Sequence, residues 1–333
     1  MDGMGGPMRG RWMERVPIGM AQMAAAALFF SVMSVLVKVA SAHLPASHTV
    51  MARGVVTLLM SIAAVRHARL SPWGKDRKRL VLRGLCGFVG LNCFYYSLKT
   101  LTLADASVIQ YLNPVFAAVL AAIFLRERMR GVDVVCVLVS FAGVVLVTQP
   151  PWLFGGTWRA PVGAALLALL GAFASSVAYV TVRQLRNTDA PEVIVFYFPL
   201  LAVPLSVPPL LRDLTMPTPL EWLVLLGIGV STQIAQIFLT KGLHNESAGR
   251  ATAMSYLQVP FAYVWGVLLF SEIPGALSLA GTGLIAVSVL VLTLRPALPP
   301  RATAVVVPPA PISGDDVVAR RPVDGGDRDG VEW

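Results

Sequence analysis

The chain has 333 residues, of which 56% are hydrophobic and only 14% are charged, and its formal net charge is +9. A soluble domain carries roughly a quarter charged residues, because its surface must be hydrated, so this composition excludes an ordinary soluble protein. The basic excess would suggest nucleic acid in a soluble chain, but no zinc-finger spacing and no aromatic-plus-basic RNA signature accompany it. In a membrane protein the same excess orients the loops, so no nucleic-acid partner is predicted.

Apolar runs of about twenty residues recur along the chain, and each can cross a hydrocarbon core about 30 Å thick as a helix. The runs are continuous rather than alternating, which favours helices over a closed barrel and makes the lipid bilayer the expected surroundings. The predicted fold class is an all-α integral membrane protein with ten transmembrane helices. Its spans are 17–38, 47–65, 80–98, 105–125, 132–149, 162–182, 192–211, 220–240, 250–270 and 275–294.

The two ends of the chain differ from the spans. Three arginines precede the first apolar run, as in a signal peptide, but the run from 17 to 37 is longer than a signal-peptide core and is predicted to be retained. Residues 1–16 are predicted to be a short cytoplasmic segment. Residues 295–333 are rich in proline, glycine and charge with little periodicity, which predicts a disordered cytoplasmic tail.

Lys and Arg are distributed unevenly between the two sides of the predicted spans. With the N-terminus in the cytoplasm, 22 basic residues fall on the cytoplasmic side and four on the outer side, and Arg53 lies within a span. This bias predicts cytoplasmic N- and C-termini and an even number of spans.

The two halves of the chain resemble each other at an offset of 145 residues. At this offset Ser31 aligns with Ser176, Tyr111 with Tyr256 and Glu127 with Glu272, among other matches. Each half holds five spans, an odd number, so the second half enters the membrane in the opposite orientation. The sequence predicts two inverted five-helix repeats. They cover 17–149 and 162–294 and are joined by an external linker, 150–161.

A family resemblance rests on the fourth and ninth spans. The run Asn113-Pro114-Val115-Phe116, with Leu125-Arg126-Glu127-Arg128 after it, resembles the signature of EamA-type proteins of the drug/metabolite transporter superfamily. The second half repeats it as Tyr256-Leu257-Gln258-Val259-Pro260-Phe261, with the proline displaced by one residue. The resemblance covers about 17–294. It implies a ten-helix carrier of a family whose members commonly export amino acids and other metabolites.

Arg53 is the most informative single residue. It lies about seven residues from the outer end of the second span, roughly 10 Å deep at 1.5 Å per residue. An intramembrane arginine costs at least ~2.5 kcal/mol on insertion scales, so it normally faces a polar cavity or a partner. Its planar guanidinium can bind a carboxylate or phosphate group through two parallel hydrogen bonds. The alternative is a structural arginine that snorkels outward or bonds helix carbonyls.

Further polar side chains lie within the spans and are candidates to hydrogen-bond a polar substrate. The alternative for each is a hydrogen bond between helices. We expect a central polar cavity formed by spans 1–4 and 6–9, which leaves spans five and ten for scaffolding or for contacts in a homodimer. The candidates beside Arg53 are Asn92, Gln110, Asn113, Tyr179, Gln233, Gln236, Tyr256 and Gln258.

Several chemistries find no support in the sequence. None of the 18 acidic residues lies in the middle of a predicted span, which disfavours proton-coupled export of cationic drugs, since that needs a buried carboxylate. The three cysteines and four histidines show no metal-ligand spacing, and no GxxxxGK[ST] loop is present. No metal site, cofactor or enzymatic activity is predicted.

The sequence therefore predicts a secondary transporter, most readily an exporter, of a small zwitterionic or anionic metabolite such as an amino acid. It would work by alternating access in a cell membrane, with a bacterial inner membrane expected. A proton-coupled exporter of drug-like cations, a channel and a membrane enzyme stay open as alternatives.

Overall fold

The computed structural model describes residues 17–97, 101, 103–127, 129–155, 161–211, 216–271 and 275–295. The predicted N-terminal segment, Glu272 and the tail from residue 296 lie outside these residues.

Ten helices in the described part of the chain are long and apolar enough to cross a membrane. Each matches one predicted span, with bounds that differ by a few residues, and the described residues contain no strand. The all-helical, ten-span prediction is confirmed. The helices are α1 (Ile18–Ala40), α2 (Ala46–His67), α3 (Arg77–Ser97), α4 (Asp105–Leu125), α5 (Gly131–Thr148), α6 (Val162–Leu185), α7 (Pro191–Leu210), α8 (Pro219–Asn245), α9 (Ala248–Phe270) and α10 (Ala276–Leu294).

The helices α4 and α9 are interrupted, which the sequence analysis did not predict. Proline lacks a backbone N–H, and its ring clashes with the carbonyl four residues earlier. In α4 the first helical segment ends at Gln110, four residues before Pro114, and in α9 the turn before Pro260 tightens to a 3₁₀ helix. In α4, whose first segment begins two residues earlier at Leu103, the segments are Leu103–Gln110, Asn113–Leu120 and a π-helical turn Ala121–Leu125. In α9 they are Ala248–Ala253, Met254–Leu257 and Gln258–Phe270.

Helix packing follows the symmetry that two repeats require. The helix α1 packs against α8, and its counterpart α6 packs against α3. Likewise α1 contacts α9 as α6 contacts α4, and α2 contacts α8 as α7 contacts α3. The remaining major pairs, α2 with α7, α5 with α10 and α4 with α9, each join a helix to its own counterpart. Exchanging the two halves therefore leaves this set of major pairs unchanged.

The contact between α5 and α10 depends on small residues. A Cβ atom on Gly143 would lie 2.7 Å from the carbonyl oxygen of Gly281, and one on Gly281 would lie 2.5 Å from the carbonyl oxygen of Gly143. The missing side chains let the two backbones approach closely, as at many helix contacts in membranes. These two helices, expected to act as scaffold, thus pack on each other within the chain.

Candidate functional site

Two buried arginines from the first repeat meet at one phenylalanine of the second. Arg53 on α2 and Arg83 on α3 are 8% and 4% exposed. Their guanidinium carbons lie 5.8 and 5.5 Å from the centroid of the Phe198 ring on α7. Two cations thus share one aromatic ring inside the helical bundle.

A glycine after each arginine allows this arrangement. A Cβ atom on Gly54 would lie 3.1 Å from the Val203 side chain, and one on Gly84 would lie 2.9 Å from the carbonyl oxygen of Tyr197. Because both glycines leave room for α7, it approaches α2 and α3 closely. Each Arg-Gly pair therefore sets its arginine beside α7.

The hydrogen bonding of the two guanidiniums is incomplete. Arg83 Nη2 donates to Gln236 Oε1 on α8 over 2.9 Å. The Nε atoms of Arg53 and Arg83 are buried and have no hydrogen-bond partner among the described residues. No described carboxylate lies within 4.0 Å of either guanidinium. The two positive charges are therefore not neutralised by the part of the protein that the structure describes.

Tyr179 and Asn113, two further predicted residues, belong to the same region. Tyr179 on α6 lies within electrostatic range of both arginines, and its hydroxyl is close to the amide of Asn113 on α4. The Asn113 Oδ1 atom is buried without a hydrogen-bond partner among the described residues. We call Arg53, Arg83, Asn113, Tyr179 and Gln236 the arginine site. It combines two guanidiniums, two amides and one hydroxyl.

The other five predicted side chains bond elsewhere. The Asn92 side chain donates a hydrogen bond to a carbonyl of its own helix. Each of the other four side chains hydrogen-bonds a residue of another helix. These bonds are Asn92 to Phe88 O (2.9 Å), Gln110 to Ser175 Oγ (3.3 Å), Gln233 to Ser61 Oγ (2.8 Å), Gln258 to Ser34 Oγ (3.2 Å) and Tyr256 to Tyr111 O (3.0 Å). Gln110 and Gln233 keep a buried Oε1 atom without a described partner, so part of their hydrogen-bonding capacity is unused.

The arginine site lies at the boundary between the repeats. Arg53 and Phe198 are repeat counterparts, 145 residues apart, and they contact each other. Tyr111 and Tyr256 are also counterparts, and their ring centroids are 6.0 Å apart. A residue can touch its own counterpart only beside the axis that relates the two halves. The site is therefore central in the bundle.

Sequence reasoning missed Arg83 and Phe198. Arg83 is one of the 22 basic residues assigned to the cytoplasmic side from the sequence, although it is buried inside α3. A signal was present, because Arg83 falls within the predicted third span and repeats the Arg-Gly pair of the second. Phe198 is one apolar residue among many, and only its alignment with Arg53 at the 145-residue offset distinguishes it.

A second buried arginine arrangement lies at the helix ends predicted to face the cytoplasm. Arg183 Nε lies 2.8 Å from Glu127 Oε1, and its Nη1 donates to the carbonyl oxygens of Leu243 and His244. The other carboxylate oxygen of Glu127 accepts the backbone N–H of Ala248, the first residue of α9, over 2.8 Å. Glu127 of the first repeat thereby bonds α6 and α9 of the second directly, and Arg183 extends the connection to α8.

A second buried ion pair also joins the two repeats. Arg250 Nη1 lies 3.2 Å from Asp133 Oδ1, and both side chains are 2% exposed. Arg250 Nη2 also donates to the carbonyl oxygen of Leu292 over 2.8 Å, and its Nε lies 3.5 Å from a carboxylate oxygen of Glu246. Asp133 belongs to the first repeat and the other three residues to the second. We call the Glu127–Arg183 and Asp133–Arg250 pairs the inter-repeat ion pairs.

Comparison with known proteins agrees with this architecture. The EamA-like transporter family matches the chain twice, over residues 17–149 and 162–294. The chain belongs to the EamA-like transporter family. Its two EamA repeats are the two halves whose helices pack symmetrically.

Relatives in several organisms are named as transporters or carriers. The chain is 35% identical over 269 residues to the Pseudopaline exporter CntI of Pseudomonas aeruginosa, covering 80% of this chain and 93% of that protein. It is 28% identical to the mouse Solute carrier family 35 member G1, covering 84% and 78%. A solved crystal structure has the same fold, with a TM-score of 0.73 at 22% identity over 83% of this chain and 96% of that one. This EamA protein is accordingly a multi-pass membrane transporter and not an enzyme.

Proposed function

We propose that the protein is a secondary transporter that exports a small zwitterionic or anionic metabolite, whose carboxylate binds Arg53. The observation that carries this proposal is the buried Arg53 guanidinium, which has no carboxylate and no hydrogen-bond partner among the described residues. An unpaired charge in a membrane interior is unfavourable, and a carboxylate presents the planar geometry that a guanidinium binds in a bidentate manner. A substrate of that kind completes the site.

Cationic substrates fit the site poorly. Two guanidiniums would repel a cation, and no described carboxylate is near enough to offset them. Export as the direction is supported by the Pseudomonas relative, which is named as an exporter. That relative is a bacterial protein, and a bacterial inner membrane is the location we propose. The bias of basic residues supports cytoplasmic termini.

Alternating access is proposed to depend on the inter-repeat ion pairs. Glu127 and Asp133 of the first repeat hold Arg183 and Arg250 of the second at one end of the bundle. A path from the arginine site to that end would require the repeats to separate there. We propose that these pairs close the cytoplasmic side and break when the site opens inward, as expected for repeats that rock about a central site.

Metabolite profiling tests the proposal. Wild-type protein, Arg53→Gln and Arg66→Gln are expressed at matched levels in a bacterium, and small metabolites are measured in medium and cytoplasm. Arg66 is an exposed arginine near the end of the same helix, so its substitution is a matched control. We expect wild type and Arg66→Gln to move a carboxylate or amino acid to the medium. Arg53→Gln should move at least roughly tenfold less of the same compound, because loss of a buried charge contact costs about 2–5 kcal/mol. Equal redistribution by all three proteins would leave Arg53 a structural role and contradict the proposed site.

A further inference from the structure

We infer that Arg83 and Arg53 together form a two-cation site that selects small organic dianions over monoanions. The inference rests on the proposed function and narrows its substrate class. It assigns a role in substrate specificity to Arg83, which has no role if Arg53 alone binds the substrate.

Comparison with the other buried arginines of the same chain indicates that this pair is not structural. Arg183 and Arg250 each contact a carboxylate and also donate to backbone carbonyls. Arg53 has none of these bonds among the described residues, and Arg83 has only the neutral amide of Gln236. The arginines that connect helices in this protein therefore have a carboxylate partner. Arg53 and Arg83 have no carboxylate partner among the described residues.

The charge balance of the site determines the class of ligand. Both guanidiniums are more than nine-tenths buried, and like charges repel more strongly in a medium of low dielectric constant than in water. A monocarboxylate neutralises one of them. A neutral zwitterion adds no net negative charge and brings an ammonium group towards the second arginine. A dianion neutralises both.

The geometry of the site suits a compact dianion. Because the guanidinium carbons lie 5.8 and 5.5 Å from one ring centroid, they are at most about 11 Å apart. The Nη2 atom of Arg83 is hydrogen-bonded to Gln236, while the Nε atom of Arg83 has no described partner. Phe198 offers apolar surface beside both charges, which suits the carbon chain of a short dicarboxylate. A phosphate group carries the same charge without such a chain.

Ligand binding by the purified, full-length protein tests the inference. Half-saturation of thermal stabilisation in detergent is measured with succinate, inorganic phosphate, propionate, alanine and tetraethylammonium. For wild type we expect succinate to act at a concentration at least roughly tenfold lower than propionate or alanine, a ratio equivalent to about 1.4 kcal/mol. Phosphate as strong as succinate would assign the site to dianions in general, and phosphate weaker than succinate would assign it to dicarboxylates.

Variants separate this inference from the proposed function. In Arg83→Gln we expect the affinity for succinate to fall at least roughly tenfold more than that for propionate. Arg83→Lys, which keeps the charge, should keep part of the preference and serves if the glutamine variant does not fold. Arg77→Gln, an exposed arginine of the same helix, is the matched control. An unchanged succinate-to-propionate ratio in Arg83→Gln and Arg83→Lys, with binding that still requires Arg53, overturns the dianion inference alone. Stabilisation by tetraethylammonium and by no anion overturns both proposals.

Discussion

Replacing Arg250 with methionine is expected to destabilise the protein severely. Arg250 and Asp133 are each 2% exposed, and a carboxylate oxygen of Glu246 lies 3.5 Å from Arg250 Nε. Without the arginine, two buried carboxylates lose their cation, and removal of one partner from a buried ion pair typically costs 3–5 kcal/mol. In a fluorescence size-exclusion assay after heating, the Arg250→Met protein should lose its monodisperse peak at a much lower temperature than wild type.

A double variant separates the loss of charge pairing from the loss of packing. Adding Asp133→Leu to Arg250→Met removes one of the orphaned carboxylates, so part of the lost thermal stability should return. Arg66→Met, at an exposed position of α2, should leave the melting profile close to that of wild type. If Arg250→Met alone melts like Arg66→Met, the Asp133–Arg250 pair does not hold the repeats together.

Replacing Glu127 with glutamine is expected to open the arginine site towards the cytoplasmic side. The substitution keeps the side-chain size but removes the charge that bonds Arg183 and the N–H of Ala248. A hydrogen bond to a charged group contributes about 1.5–3 kcal/mol, so the inward-open population should rise at least roughly tenfold. An Asn113→Cys reporter in a background without the native cysteines measures this opening, through its labelling rate by an impermeant thiol reagent in inside-out vesicles.

The control for this change is a surface ion pair. Arg79 and Asp76 lie 3.0 Å apart, but their side chains are 47% and 28% exposed, and such pairs contribute little. Asp76→Asn should therefore leave the labelling rate of the reporter unchanged. A rate in Glu127→Gln that equals the rate in Asp76→Asn would show that the Glu127–Arg183 contact does not limit access to the site.

The spans were predictable from the sequence, and their interruptions were only partly so. Length and continuous hydropathy suffice for the ten helices, because a membrane core requires about twenty apolar residues per crossing. The breaks before Pro114 and Pro260 follow from proline chemistry. The π-helical turn Ala121–Leu125 has no comparable local signature.

The buried charges show where sequence reasoning stops. Arg83, Arg183 and Arg250 lie near span ends and belong to the 22 basic residues assigned to the cytoplasmic side. A rule based on loop composition cannot distinguish charges in loops from buried ones. Their burial depends on partners far along the chain. Asp133 lies 117 residues from Arg250, and Gln236 lies 153 residues from Arg83. These pairings are set by the packing of the two repeats.

Divergence between the repeats accounts for the asymmetry of the site. The offset that pairs tyrosine with tyrosine at 111 and 256 pairs Arg53 with Phe198. Similarly, the contact between Asn113 and Tyr179 corresponds to that between Gln258 and Ser34. The backbone symmetry is retained, while the side chains differ where a substrate would bind. The two halves therefore present different groups to a substrate.

Counterflow in proteoliposomes tests the central claim most directly. The metabolite identified by profiling is loaded at high concentration inside vesicles that contain wild type, Arg53→Gln or Arg66→Gln, and a labelled trace is added outside. We expect saturable, transient accumulation of the label with wild type and Arg66→Gln, and at least roughly tenfold slower accumulation with Arg53→Gln. Accumulation by Arg53→Gln at the wild-type rate, or flux through wild type that does not saturate, would contradict a carrier that binds its substrate at the arginine site.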